Sequence, residues 1–195
     1  MVNPIITGGY VVSSQTWNYL LNGAGSLSPA NINGGALRST TGANNGDDNT
    51  IYTGATFAFN PDNHPWLCLG LDPDTVTQHD LVGGLFQDAN NYIEVYSSNG
   101  GNIQCECKAG VGNVTTVDSG VAQTANKFYF MIEVIDDGSV NFYYSLTHWR
   151  DMTFITNIST NVPAGQFEPY FNHETTENVA KQVDVIKLCL CQEAV

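Results

Sequence analysis

The stretch from Lys127 to Leu146, KFYFMIEVIDDGSVNFYYSL, constrains this chain more than any other. Apolar and aromatic residues alternate on both sides of Asp137-Gly138. An Asp-Gly pair between two such runs is the strongest short-range hairpin signal, because a two-residue type I′ turn needs positive φ at both central positions. The rest of the chain repeats the theme. Short apolar runs of strand length are separated by Gly, Asn, Asp and Pro, and no stretch shows the 3.6-residue period of an amphipathic helix. The expectation is an all-β fold.

From Gly35 onward the strands come at the regular spacing of a β-sandwich or jelly roll. Residues 36–40 and 51–59 read as strands, with the turn-rich TGANNGDDN between them. Residues 66–71 are nearly all apolar, as a central strand buried on both faces would be. Two hairpins follow, 81–87 with 92–97 and 103–108 with 114–118, then the hairpin around Asp137-Gly138. Short strands at 154–155, 170–173 and 183–191 close the domain. Residues 31–195 are therefore expected to form one jelly-roll domain. Residues 1–30 read as an irregular leader whose apolar clusters, Ile5, Ile6, Trp17, Tyr19 and Leu20, form a docking arm or else an edge strand of the same domain.

Charge narrows the partners. Six Lys and Arg stand against nineteen Asp and Glu, a formal charge of −13. Such a surface repels a phosphate backbone, so nucleic acid is not an expected partner. The first residues carry no basic and apolar signal pattern, and no apolar run reaches the ~20 residues of a membrane span. The expectation is synthesis in a cytoplasm without secretion and no membrane partner. Five cysteines, an odd number, argue against a disulfide framework. Cys105 with Cys107 and Cys189 with Cys191 each place two thiols on one face of a strand, and on adjacent strands they would offer four thiolates to zinc. Inert buried thiols are the simpler expectation.

Catalytic patterns are missing. Jelly-roll glycosidases carry Glu-x-Asp-x-Glu on one strand, all three carboxylates on one face. Here Glu133 and Asp136 are three residues apart and so face opposite ways, while Asp137 belongs to the turn. His64, His79, His148 and His173 lie beside turn residues or at strand ends and read as surface or capping residues. No enzyme activity and no cofactor are expected. Calcium is the better metal candidate, with Asn44, Asn45, Asp47, Asp48 and Asn49 as one oxygen cluster and Asp72, Asp74 and Asp80 as another. Turn chemistry explains the same residues without a metal. His148 and Trp149, with Arg150 and Asp151, form the most distinctive loop, since a Trp in a polar loop is costly to expose without use.

Several phrases, in one order, resemble a family of bacteriophage virion proteins with a concanavalin A-like (laminin-G-like) jelly roll. They are Gly34-Gly35-Ala36-Leu37-Arg38, the run from Trp66 to Leu71, and the run from Val76 to Leu85. Val117 to Ala122 follows, ahead of the strand from Phe128 to Val134, and then Asp137 to Phe142. Thr160 to Pro163 ahead of Pro169-Tyr170-Phe171, and Val183 to Ile186, complete the series, which spans about Gly34 to Leu190. The loop from Thr147 to Met152 departs from the family pattern. The resemblance implies a concanavalin A-like β-sandwich of two antiparallel sheets and no active site. With the acidic exterior and apolar leader, it implies a capsid decoration (cement) protein on the outer surface of a phage head. Its partners would be the major capsid protein and copies of itself in a homotrimer. The alternative is a receptor-binding or tail-fibre domain that grips host glycans through the Trp149 loop.

Overall fold

The computed structural model describes residues 18–30, 36–52, 64–136 and 139–191, and every regular element among them is a strand. In chain order these are β1 (Asn18–Asn22), β2 (Ser26–Ala30), β3 (Ala36–Thr40), β4 (Asp48–Tyr52), β5 (Trp66–Pro73), β6 (His79–Asp88) and β7 (Asn91–Ser98). They continue as β8 (Asn102–Ala109), β9 (Val114–Ala122), β10 (Phe128–Asp136), β11 (Ser139–Ser145), β12 (Thr153–Ile158), β13 (Glu168–Thr175) and β14 (Gln182–Cys191). Two seven-stranded antiparallel sheets result. The first runs β1-β4-β13-β6-β7-β8-β9 and the second β12-β11-β10-β5-β14-β3-β2.

Period-2 alternation places the core. In β7, Ile93, Val95 and Ser97 point inward and are buried, while Tyr92, Glu94 and Tyr96 between them point out. Ile51, Leu85, Ile93, Cys105, Cys107 and Phe171 of the first sheet meet Leu67, Leu69, Leu71, Phe128, Phe130, Ile132 and Phe142 of the second. β5 is buried on both faces, as its apolar run implies, with Cys68 and Gly70 on the face away from this core. β10 and β11 pair antiparallel from Tyr129↔Ser145 to Asp136↔Ser139, the hairpin read from the sequence. Its turn residues Asp137 and Gly138 lie outside the described residues, as do residues 53–59 of the expected second strand.

The leader, the cysteines and the histidines find these places. Residues 18–22 and 26–30 are not irregular: β1 is an edge of the first sheet against β4, and β2 an edge of the second against β3. Ile5, Ile6 and Trp17 lie outside the described residues, and Tyr19 and Leu20 of β1 are exposed. The Cys-x-Cys pairs do not converge, because β8 and β14 belong to different sheets. Cys105 and Cys107 point into the core, and Cys189 packs beside Cys68 on the far face of the second sheet, so the four thiols cannot share a zinc ion. Burial pushes the Cys68 and Cys105 thiols up to about 12, which makes both inert.

The histidines correct an expectation. His64 and His148 are exposed, but His79 and His173 are fully buried. They form a polar chain through the interior. Asn49 Nδ2 donates to Ser39 Oγ (2.9 Å), which lies 3.3 Å from His173 Nδ1. His173 Nε2 is 3.4 Å from His79 Nδ1, His79 Nε2 is 2.6 Å from Gln123 Nε2, and Ser97 Oγ donates to Gln123 Oε1 (2.8 Å). With the Gln123 amide as donor to Nε2, the His79 proton resides on Nδ1 and points at His173, whose own Nδ1 proton points at Ser39. The chain ties β3 of the second sheet to β4, β13, β6 and β7 of the first. Burial lowers both histidines, His173 to about 3, so neutral imidazoles hold the network.

Candidate functional site

The outward residues of the first sheet fall into cross-strand rows. One row crosses six strands: Tyr52, Tyr170, Gly84, Glu94, Glu106 and Thr116 stand directly opposite one another in turn. On one side lie Glu168, Phe86, Tyr92, Lys108 and Val114, and on the other Thr50, Asn172, Val82, Tyr96, Gln104 and Asp118. The register collects Tyr92, Tyr96, Tyr170 and Phe86 around two adjacent glutamates.

Gly84 makes the centre of this row possible. A Cβ there would meet the Ile93 carbonyl oxygen and come within 2.7 Å of Glu94 Cα. With no side chain on β6 at this point, the Tyr170 hydroxyl on β13 reaches past that strand and donates to Glu94 Oε2 on β7. Glu106 is held from both sides: Tyr92 Oη donates to Oε1 and Thr116 Oγ1 to Oε2, each at 2.6 Å. Phe86 packs edge-on to Tyr170 with ring centroids 5.5 Å apart and stays partly exposed. Lys108 lies over the Tyr92 ring at 5.4 Å and donates to the Ala89 carbonyl at 2.7 Å.

Like charges directly opposite on neighbouring strands repel. Glu94 shows the effect. Burial first and the Glu106 charge second push its carboxyl up to about 7, against the Tyr170 hydrogen bond that favours the carboxylate. Burial and the same carboxylates raise Tyr92, Tyr96 and Tyr170, so all three remain phenols and hydrogen-bond donors. The face thus offers flat aromatic surface interleaved with fixed acceptors and donors.

The residues singled out from sequence are placed elsewhere. Asp47 is buried as a loop staple, its Oδ2 accepting from Asn44 N and Nδ2 at 3.1 Å, with Gly23 and Gly42 leaving room for it. Asn49 belongs to the histidine chain. Asp48 accepts from Asn172 Nδ2 (2.7 Å) and stands in register with Glu174, itself opposite Asp80. Asp72 points outward from the second sheet beside Asp184, which forms a two-point ion pair with Arg38 at 2.8 Å. Asp74 accepts from Gln182 N. Asp72 and Asp80 lie on different sheets, so the second calcium cluster is not assembled. Among the described residues no group of three His, Cys, Asp or Glu side chains is placed to hold a metal ion.

Trp149 is half-buried rather than a free platform. It packs with Trp66 and Met152 against Cys68 and Cys189, on the outer face of the second sheet. Lys187 Nζ stands 4.4 Å from its ring centroid and Arg150 Cζ 4.8 Å. His148 is exposed at its side, with ring centroids 5.6 Å apart.

No family model matches the chain, and no curated protein matches it in sequence. Solved structures do share its fold. The exoplasmic/lumenal domain of VIP36, in a Ca²⁺/Man3GlcNAc-bound form, superposes with a TM-score of 0.61 at 10% identity, over 92% of this chain and 84% of that one. The carbohydrate recognition domain of Emp47p gives 0.62 at 11% identity, over 94% and 90%. The binding domain of botulinum neurotoxin DC, in complex with SialylT, gives 0.62 at 6% identity, over 93% of this chain and 44% of that one. The fold is the concanavalin A-like jelly roll of lectins. The virion half of the sequence resemblance finds no counterpart in these three structures.

Sequence reasoning missed the Tyr-Glu face although its signals were present. The alternation Tyr92-Ile93-Glu94-Val95-Tyr96 puts two tyrosines and a glutamate on one side, and Cys105-Glu106-Cys107 puts Glu106 opposite two buried thiols. Gly83-Gly84 inside a strand marks close approach by a neighbour.

Proposed function

We propose that this chain is a carbohydrate-binding module whose ligand lies on the outer face of the first sheet. The observation that carries this is the row through Tyr170, Gly84, Glu94, Glu106 and Thr116, flanked by Tyr92, Tyr96 and Phe86. A sugar ring has apolar C–H faces and a rim of hydroxyls. Aromatic rings cover the first, and carboxylates pre-set by neighbouring hydroxyls accept from the second, where charge-assisted hydrogen bonds are about twice as strong as neutral ones. A few fixed polar groups set in aromatic surface are the usual make-up of a ligand site. Of the three similar structures, one is a carbohydrate recognition domain and two are complexes with Man3GlcNAc and SialylT, which supports the choice of ligand class.

The ligand class this face fits best is a neutral oligosaccharide, because its own charge is negative. Both Glu106 oxygens and one Glu94 oxygen are already engaged by hydroxyls, which suits holding a ligand rather than cleaving it. An array of neutral glycans tests this with wild type and Tyr96→Ala, since the Tyr96 hydroxyl makes no hydrogen bond to another side chain among the described residues. Selective binding that falls about tenfold in the variant supports the proposal. A flat array, or binding indifferent to Tyr96, overturns it.

On a phage particle, the setting the sequence phrases imply, such a module would engage glycans of the host surface. The capsid-decoration role, the contact with the major capsid protein and the homotrimer rest on those phrases and on the leader. Copy number per particle tests them: hundreds of copies mean decoration, a handful mean a receptor-binding position.

A further inference from the structure

The chain carries six cations against nineteen carboxylates, and their disposition is uneven. Arg38 is paired with Asp184 and Lys181 with Glu177. Lys108 is held at a carbonyl and over Tyr92. Arg150 and Lys187 instead converge on one indole, that of Trp149, and neither forms an ion pair among the described residues. Two cations that share a ring with no carboxylate paired to either among the described residues repel each other, in a molecule where carboxylates are plentiful.

The local structure holds them there. In the second sheet Tyr129, Gly70 and Lys187 stand in one row, and a Cβ on Gly70 would fall within 2.8 Å of Lys187 Cβ and 2.6 Å of the Tyr129 ring. The loop after β11 then folds back over this row. Ser145 Oγ, buried, accepts from Thr147 N and His148 N at 3.2 Å, and His148 O accepts from Asp151 N at 2.9 Å. Trp149 anchors the loop on Cys68 and Cys189. Arg150 N donates to His148 Nδ1 at 3.2 Å, so in the neutral ring the proton is on Nε2, an outward donor. Asp151 follows in the loop and Asp72 lies one row along from Lys187 on β5, yet neither pairs with these cations among the described residues.

We propose that Arg150, Lys187 and His148, set around Trp149, form a binding site for an oxyanion, and that its ligand is the carboxylate of an acidic sugar such as a sialic or uronic acid. The guanidinium supplies a planar fork matched to a carboxylate, the ammonium a point charge, and the indole a surface for the sugar ring. This site is on the opposite face of the sandwich from the Tyr-Glu rows and is independent of them. The sugar part of the assignment rests on the glycan reading; the oxyanion part does not.

Calorimetry on the full chain tests both parts, with sialyllactose, lactose and inorganic sulfate as probes. The expected result is sialyllactose binding that weakens at least tenfold in Arg150→Gln/Lys187→Gln and weakens with added salt, while any lactose binding is unchanged by the pair of substitutions. Sulfate binding lost in the same variant, without sialyllactose binding, keeps the oxyanion site and removes the sugar from it. Sialyllactose bound equally by wild type and variant, or no binding of either anion, overturns the site. A circular dichroism melt coincident with wild type shows that the exposed substitutions leave the fold intact.

Discussion

Two polar networks lie a few residues apart along the same strands and do opposite things. β6, β7 and β13 carry His79, Ser97 and His173 on their inner faces and Phe86, Glu94 and Tyr170 on their outer faces. The inner chain is sealed: His79 and His173 have no exposed surface, and hydrogen bonds run through them from Asn49 to Ser97. The outer row is also hydrogen-bonded, and although its Glu106 is buried, it opens on solvent at Thr116 and is flanked by the partly exposed ring of Phe86. Buried polar groups must find partners inside the protein, so the inner chain specifies how the two sheets are joined. The outer row has spare acceptors and rings, so it can take a ligand. Polarity alone does not mark a site; polarity that a ligand can reach does.

Substitutions separate the two networks, and the largest effect is expected at the glycine beneath the outer row. Gly84→Val should cost about 3 kcal/mol, since its Cβ collides with the Ile93 carbonyl and the Glu94 backbone rather than with a movable side-chain end. It should also part Tyr170 from Glu94 and abolish glycan binding. A urea melt and a binding titration on the same sample check both. His173→Ala comes next, at about 2 kcal/mol, from a cavity and from leaving Ser39 and His79 each one hydrogen bond short in the interior, with only Asn49 and Gln123 to hold them. Glycan affinity in that variant should stay within twofold of wild type, which would show that the inner network is scaffold.

The networks also answer pH in opposite senses. His173, at about 3 in the folded protein, stays neutral where the unfolded chain takes up a proton near 6.5. Its contribution to stability is therefore complete above about pH 6.5 and is lost as pH falls toward 3, and the lowered His79 acts in the same direction. Glu94, raised to about 7, works in reverse: the folded protein holds a proton that the unfolded chain releases near 4.5. That contribution is complete below about 4.5 and is lost as pH rises through 7. Between about pH 4.5 and 6.5 the two oppose each other, and Glu94→Gln removes the second. Chemical melts across this window should show stability falling with acid more steeply in Glu94→Gln than in wild type, and least steeply in His173→Ala. Equal slopes in all three would dismiss both assignments. The smallest effect on stability is expected at Tyr96→Ala, under about 1 kcal/mol by the same melts, because its ring lies on the surface rather than in the core.

The strand content was legible because alternation and turn residues report on local structure. The hairpin of β10 and β11, the double-faced burial of β5 and the hairpins of β6 to β9 all follow from period and punctuation. Which strand neighbours which is a long-range property, and the site depended on it. Tyr170 and Glu94 are 76 residues apart in sequence and meet only because β13 pairs with β6 and β6 with β7. The histidines misled for a related reason. His79 opens β6, but His173 lies inside β13, and both rings turn from these neighbouring strands into the space between the sheets, where a neutral imidazole pair costs less than an unpaired polar group. Trp149 stands out in the sequence as an aromatic in a polar loop, yet that loop folds back onto the second sheet and its ring is shared with two cations.

Amide chemical-shift mapping during titration with a neutral oligosaccharide tests the central claim most directly. Perturbations are expected to concentrate on β6, β7, β8 and β13, at Phe86, Tyr92, Glu94, Tyr96, Glu106 and Tyr170, with the loop after β11 silent. Saturable perturbations confined to the Trp149 loop or to the sheet edges, with those six residues unmoved, would contradict it.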